Sequence, residues 1–198
     1  MITTTTTTQL LCELHDPRNQ SAWSQIDGRY RPILVRFSRQ LGFVGDDAEE
    51  LAQQTMTEFA RAYADGKYDR ERGRLRSWLL GIARNVAFEL RRKKAGLQNG
   101  VDSLLDQVPD EARMSQIWEQ EREQAIFAEA LAQLRKATQV DAITIEAFEL
   151  YAIHGMPVKE VAERCGLSVD SIYVAKNRLT KRLRELVTEL TGAYSEGE

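Results

Sequence analysis

Apolar residues return every three to four positions along almost the whole chain, and strict apolar–polar alternation is nowhere sustained. Ala22, Trp23, Ile26 and Tyr30 form one such stripe, and Ile33, Leu34, Phe37 and Leu41 form the next. Gly42 and Gly45 mark a turn. Asp46 or Asp47 then suits the N-cap of a helix predicted to run to about Ala64, with Leu51, Met56, Phe59, Ala60 and Tyr63 facing inward. A polar loop at 65–74 leads into a predicted helix from about Leu75 to Lys94, ended by Gly96 and Gly100. Its core stripe is Leu75, Leu79, Ile82, Val86 and Leu90, with Trp78 at the edge. Helical signal resumes near Trp118 and continues to about Leu190. The pattern predicts an all-α fold of two small helical domains joined by a flexible acidic linker, the C-terminal one a helix-turn-helix. The expected boundaries are a disordered Thr-rich tail at 1–9, a first domain at 10–96, the linker at 97–123, a second domain at 124–192 and a tail at 193–198.

The helix-turn-helix rests on local chemistry. Pro157 suits the first position of a helix, and Val158, Val161, Ala162 and Cys165 give it an apolar face. Gly166 is a natural stop, because glycine takes the left-handed conformation without a Cβ clash. Ser168 then caps a helix with the stripe Ile172, Leu179, Leu183 and Leu186, and Ala162 is small where the two helices approach. Opposite that stripe lie Asp170, Val174, Asn177, Lys181 and Arg184, flanked by Tyr173 and Arg178, with Ser171 beside the capping Ser168. Asn and Arg can pair with base edges, while Lys and Arg neutralise phosphates.

Charge changes the picture only when followed along the chain. The net charge is −3, which alone argues against nucleic acid. Yet residues 61–94 hold eleven bases against four acids, residues 102–123 hold seven acids against Arg113 and Arg122, and residues 159–184 are basic again. On the Leu75–Lys94 helix, Arg84, Phe88 and Arg91 share the face opposite the core stripe. The loop before it carries Lys67, Tyr68, Arg70, Arg72 and Arg74. Rings that stack on bases beside cations that pair with phosphates are what melted nucleic acid requires. The preceding helix instead turns out acids and amides, Glu49, Glu50, Gln53, Gln54 and Glu58, which could dock a cationic protein.

Other chemistry finds little support. Two distant cysteines, Cys12 and Cys165, and two isolated histidines, His15 and His154, offer neither a disulfide framework nor metal spacing, and no cofactor is expected. No carboxylate pair, nucleophile motif or phosphate-cradling glycine loop points to an enzyme. No apolar run approaches a membrane span, and 1–8 lacks a secretory pattern, so a cytoplasmic protein without membrane insertion is expected.

At these residues the chain resembles the extracytoplasmic-function sigma factors of bacterial RNA polymerase. The stretch Asp46-Asp47-Ala48-Glu49-Glu50-Leu51-Ala52-Gln53-Gln54-Thr55 is similar to the family's helix for the polymerase clamp. The run Leu75-Arg76-Ser77-Trp78-Leu79-Leu80-Gly81-Ile82-Ala83-Arg84-Asn85, with Arg91-Arg92-Lys93-Lys94, resembles its promoter-melting helix, and residues 156–186 resemble its minus-thirty-five-reading domain. The resemblance implies core polymerase and promoter DNA as partners, and an anti-sigma factor or other inhibitory partner is common in the family. Residues 10–96 would be region 2-like, binding core through Asp46, Asp47, Glu49, Glu50, Gln53 and Gln54. The same domain would read and melt the minus-ten element through Tyr68, Arg70, Arg72, Arg74, Arg76, Arg84, Asn85, Phe88, Arg91 and Arg92. Residues 124–192 would be region 4-like, reading the minus-thirty-five element through Ser168, Asp170, Ser171, Tyr173, Val174, Asn177, Arg178, Lys181 and Arg184.

Two departures bear on specificity. Leu131-Ala132-Gln133-Leu134 lacks the proline the family usually shows next, and Glu89 stands where Asp is expected. The rival readings are a stand-alone helix-turn-helix regulator that never joins polymerase, which leaves the first basic helix unexplained, and an adaptor that has lost DNA binding.

Overall fold

The computed structural model describes residues 7–16, 18–94, 109–137 and 140–194, and all regular structure among them is helical. It divides into two compact units. One comprises the described residues up to Ala125 together with Ala193 and Tyr194; the other is Ile126–Gly192.

The first unit opens with α1 (Thr7–Glu13), α2 (Gln20–Gln40), α3 (Asp46–Ala64) and α4 (Leu75–Lys94). Asn19 accepts from the Ala22 amide and so caps α2. Ile26, Ile33, Leu34, Phe37, Leu51, Phe59, Leu75 and Leu79 are fully enclosed between the helices, so the core sits on the stripes the sequence displays. Burying side chains of this size contributes roughly 1.5–3 kcal/mol each. At the start of α3 the cap is Gly45, with φ 57°, and no side-chain cap bond forms. Asp46 and Asp47 therefore lie in the first turn instead of at the expected N-cap, where their charges still favour the positive end of the helix dipole.

Residues 7–9, expected in the tail, begin α1, because Thr7 is buried and its hydroxyl lies 3.0 Å from that of Tyr30. The connector differs too. Residues 97–108 lie outside the described residues, but α5 (Glu111–Ala137) starts well before Trp118. Its first half carries Met114, Ile117, Trp118, Glu121 and Ala125 at helical spacing, all buried. Trp118 stacks near Tyr30 and meets Phe37 edge to face, and Gln40 donates to Glu121 across 3.1 Å. An acidic composition conceals an apolar stripe here.

Arg29 is enclosed in the first unit, 1 % exposed. Its guanidinium donates to Thr7 Oγ1 and to the Ala193 carbonyl and lies over the Tyr194 ring, while Tyr194 Oη donates to the Arg29 carbonyl. Burial lowers the Arg29 pKa.

The second unit holds the rest of α5, α6 (Ala142–Phe148), a π turn (Glu149–Ile153), α7 (Val158–Cys165) and most of α8 (Val169–Ala193). Asp141 caps α6 by accepting from the Thr144 amide at 2.8 Å. Ala147, Val161, Cys165 and Ile172 form the core between α6, α7 and α8. Pro157 stands one place earlier than expected, as the N-cap of α7. Gly166 ends α7 in the left-handed region at φ 65°, and Ser168 Oγ accepts from the Ser171 amide at 3.1 Å to cap α8.

Candidate nucleic-acid and polymerase interfaces

Between the end of α3 and the start of α4, residues 65–74 fold back on a short 3₁₀ turn (Arg70–Arg72), capped by Asp69, which accepts from the Glu71 amide at 2.9 Å. The loop is therefore shaped before any ligand arrives. It walls a cavity of about 330 Å³ lined by Lys67, Tyr68, Asp69, Arg72, Gly73, Arg74, Ser77 and Trp78. Tyr68 stacks on Trp78 with ring centroids 4.9 Å apart. Behind them the rings of Tyr63, Phe59 and Trp23 continue the contact chain into the core. Tyr63 donates to the Leu11 carbonyl, and burial pushes its phenol pKa up. A fixed aromatic wall beside three cations can hold a flat, anionic-backboned ligand.

Of the ten residues expected at the minus-ten element, Tyr68, Arg72 and Arg74 line this cavity, and Arg70 is exposed on the same turn. Farther along α4, Arg84 and Asn85 are exposed. Arg84 borders a separate recess of about 170 Å³ with Ser77, Leu80, Gly81, Glu111, Met114 and Ser115. Phe88 is half-buried. Arg76, Arg91 and Arg92 have partners inside the unit. Arg76 is ion-paired with Glu119 of α5, and Arg92 with Glu89 at 2.6 Å. Arg91 donates to the Leu41 carbonyl and stacks over Phe43, and burial lowers its pKa. Trp78, at the edge of the core stripe and one turn after Arg74, is half-buried and forms the wall of the cavity beside Tyr68.

On α3, Asp46, Glu49, Glu50, Gln53 and Gln54 line one surface hollow of about 440 Å³ with Thr57 and Glu58. Gln54 donates to Glu50 at 2.9 Å, and Glu49 lies 3.7 Å from Arg39. Asp47 is not among the lining residues: its carboxylate pairs with Lys94 at the end of α4.

All nine residues expected at the minus-thirty-five element are exposed, Ser168 at the cap of α8 and Asp170, Ser171, Tyr173, Val174, Asn177, Arg178, Lys181 and Arg184 along the helix itself. Val174 is 66 % exposed in the midst of polar neighbours, which suits apolar contact with a base methyl group. Ser168 is bound to Ser171 at 2.8 Å as part of the cap.

Among the described residues no helix is long and apolar enough to cross a membrane, and no group of His, Cys, Asp and Glu could hold a metal ion.

The sigma-70 region 2 family matches residues 27–96, which run from within α2 through α4. The extracytoplasmic-function RNA polymerase sigma factor RpoE of Cereibacter sphaeroides is 28 % identical, over 82 % of this chain and 91 % of that protein. A chain in the structure of CnrH in complex with the cytosolic domain of CnrY is 22 % identical, covering 91 % of this chain and 97 % of that one, at a TM-score of 0.34. The region 2 match falls on the unit that carries the aromatic cavity and the acidic helix, and the similarity to RpoE extends over most of the chain. Residues 27–96 thus match sigma-70 region 2, and most of the chain is similar to an extracytoplasmic-function RNA polymerase sigma factor.

Proposed function

We propose that this chain is an extracytoplasmic-function sigma factor, a non-enzymatic subunit that binds core polymerase through the outer face of α3, holds the melted minus-ten strand at the loop before α4, and reads the minus-thirty-five duplex with α8. The observation that carries the reading is the cavity at 65–78, where Tyr68 stacked on Trp78 stands beside Lys67, Arg72 and Arg74. Extracting a base from the duplex costs a few kcal/mol. Stacking a base on an aromatic ring returns about 1–3 kcal/mol, so one captured base roughly offsets the extraction. Arg70, Arg84 and Asn85 extend the contact along the exposed side of the loop and α4. Arg76 and Arg92 join it by exchanging Glu119 and Glu89 for phosphates. Phe88 and Arg91, being half-buried, shape the helix edge.

Asp46, Glu49, Glu50, Gln53 and Gln54 present acceptors and charge to a cationic partner, with Asp47 held alongside by Lys94. On α8, Asn177 and Arg178 supply base-edge hydrogen bonds, Val174 an apolar contact, and Lys181 and Arg184 phosphate contacts. An anti-sigma factor or other inhibitory partner, common in the family, would act by covering one of these faces. The test is permanganate probing of unpaired thymines on promoter fragments bound by core polymerase plus this chain. Reactive thymines around the minus-ten element with wild type, lost with Tyr68→Ala and Trp78→Ala while polymerase still binds, support the reading. Equal melting by both variants contradicts it.

A further inference from the structure

Tyr151 lies outside every surface described so far, yet it touches the exposed face of α8 twice. Its ring meets Tyr173 edge to face, with centroids 5.7 Å apart at 74°. The Lys176 ammonium lies 5.3 Å from the centroid of the same ring. Tyr173 and Lys176 are three residues apart, so they stand on one side of the helix, beside Val174 and Asn177.

The backbone that carries Tyr151 is unusual. It sits at the centre of the π turn, where the His154 amide donates to the Glu149 carbonyl at 2.9 Å. Such turns insert a residue into a helix and re-aim its side chains, and they occur frequently at functional sites. This one is fastened at its start, where Arg135 of α5 grips Glu149 through two bonds of 2.7 and 2.8 Å. That bond holds the Arg135 pKa up. At its end the Met156 amide donates to the Leu150 carbonyl, and Leu150, Tyr151 and Met156 pack on the core of the unit.

We propose that Tyr151 is a positioning residue for DNA reading: it fixes the Tyr173 ring and the Lys176 ammonium on α8 so that both meet the sugar-phosphate strand beside the bases read by Val174 and Asn177. The proposal rests on α8 being the duplex-reading helix. Lys176 thereby joins the phosphate-contacting residues, and the π turn serves to deliver one ring to the recognition helix.

The test uses the full chain assembled with core polymerase and duplex fragments selected by the wild-type complex, with affinity measured across a salt series. Tyr151→Phe keeps the ring and its attractions, and retains wild-type affinity and salt slope. Pentafluorophenylalanine at position 151 keeps the volume but reverses the ring's charge distribution, so a purely space-filling role would not feel it. It lowers affinity about three- to tenfold. It also reduces the slope of log affinity against log salt by up to about one. In a Tyr173→Leu/Lys176→Met background the fluorinated ring has no further effect, because its targets are gone. A fluorinated variant identical to Tyr151→Phe, or an equal loss in that background, overturns the positioning role. If the Tyr173→Leu/Lys176→Met protein itself binds like wild type, the positioning role fails; if Asn177→Ala also binds like wild type, the reading of α8 fails with it.

Discussion

Tyr68 and Trp78 show how a side chain's role depends on what stands behind it. A single exposed tyrosine would swing freely and lose rotamer entropy on stacking a base. Tyr68 instead leans on Trp78, and the rings of Tyr63, Phe59 and Trp23 back the pair. Tyr68→Ala should cost about 1–3 kcal/mol of affinity for a single-stranded minus-ten oligonucleotide, measured by anisotropy with the polymerase-bound protein, and little for duplex. Arg91 is the converse case. Periodicity places it with Arg84 on the polar face of α4, but its guanidinium turns to the Leu41 carbonyl and the Phe43 ring. Helical phase cannot register a carbonyl and a ring contributed by a distant turn. Arg91→Ala should therefore lower the unfolding free energy by about 1–3 kcal/mol, the range for an acceptor left without its donor, read from urea denaturation. Arg84→Ala, on an exposed side chain, should leave it within about 0.5 kcal/mol.

At the scale of elements, the helices with a clean stripe and local caps were the legible ones. The Leu75–Lys94 helix and the end of α3 at Ala64 lie where the pattern puts them, and Gly166 and Ser168 form the turn and cap expected of them. The start of α5 was obscured because seven acids between 102 and 123 outweigh an apolar stripe that begins at Met114. Trp118 is the anchor of that stripe, 1 % exposed against Tyr30 and Phe37. Trp118→Ala should destabilise the first unit by about 3–5 kcal/mol, as an unfilled core cavity does, seen as a lower urea midpoint. The π turn leaves no mark in the helical period, and the contacts that hold it, from Arg135 and the core, are tertiary.

A cap also sets a pH dependence. Asp141 accepts from the Thr144 amide, which lowers its carboxyl pKa below the ordinary aspartate value. The folded state thus binds this proton less tightly than the unfolded chain does. The cap's contribution is full above the unfolded pKa and fades as pH falls through the folded one. In thermal melts of the full chain, the deficit of Asp141→Ala relative to wild type should be present at neutral pH and shrink in acid.

Across the whole molecule, a net charge of −3 conceals two basic stretches and one acidic one, and the distribution matters more than the total. The two-unit organisation follows from this sequence, although the described residues draw the border at Ala125 and return Ala193 and Tyr194 to the first unit. That return depends on Arg29, whose burial with Thr7 and the Ala193 carbonyl no one-dimensional pattern reveals. The similarity to RpoE spans most of the chain and so takes in residues of both units. The most direct test is transcription by purified bacterial core polymerase on a genomic-fragment library, with and without this chain. Discrete new start sites that share two spaced upstream elements, and that disappear with Tyr68→Ala or Asn177→Ala, are the predicted result. Core polymerase that binds the chain and starts nowhere new, or that does not bind it, would contradict the account.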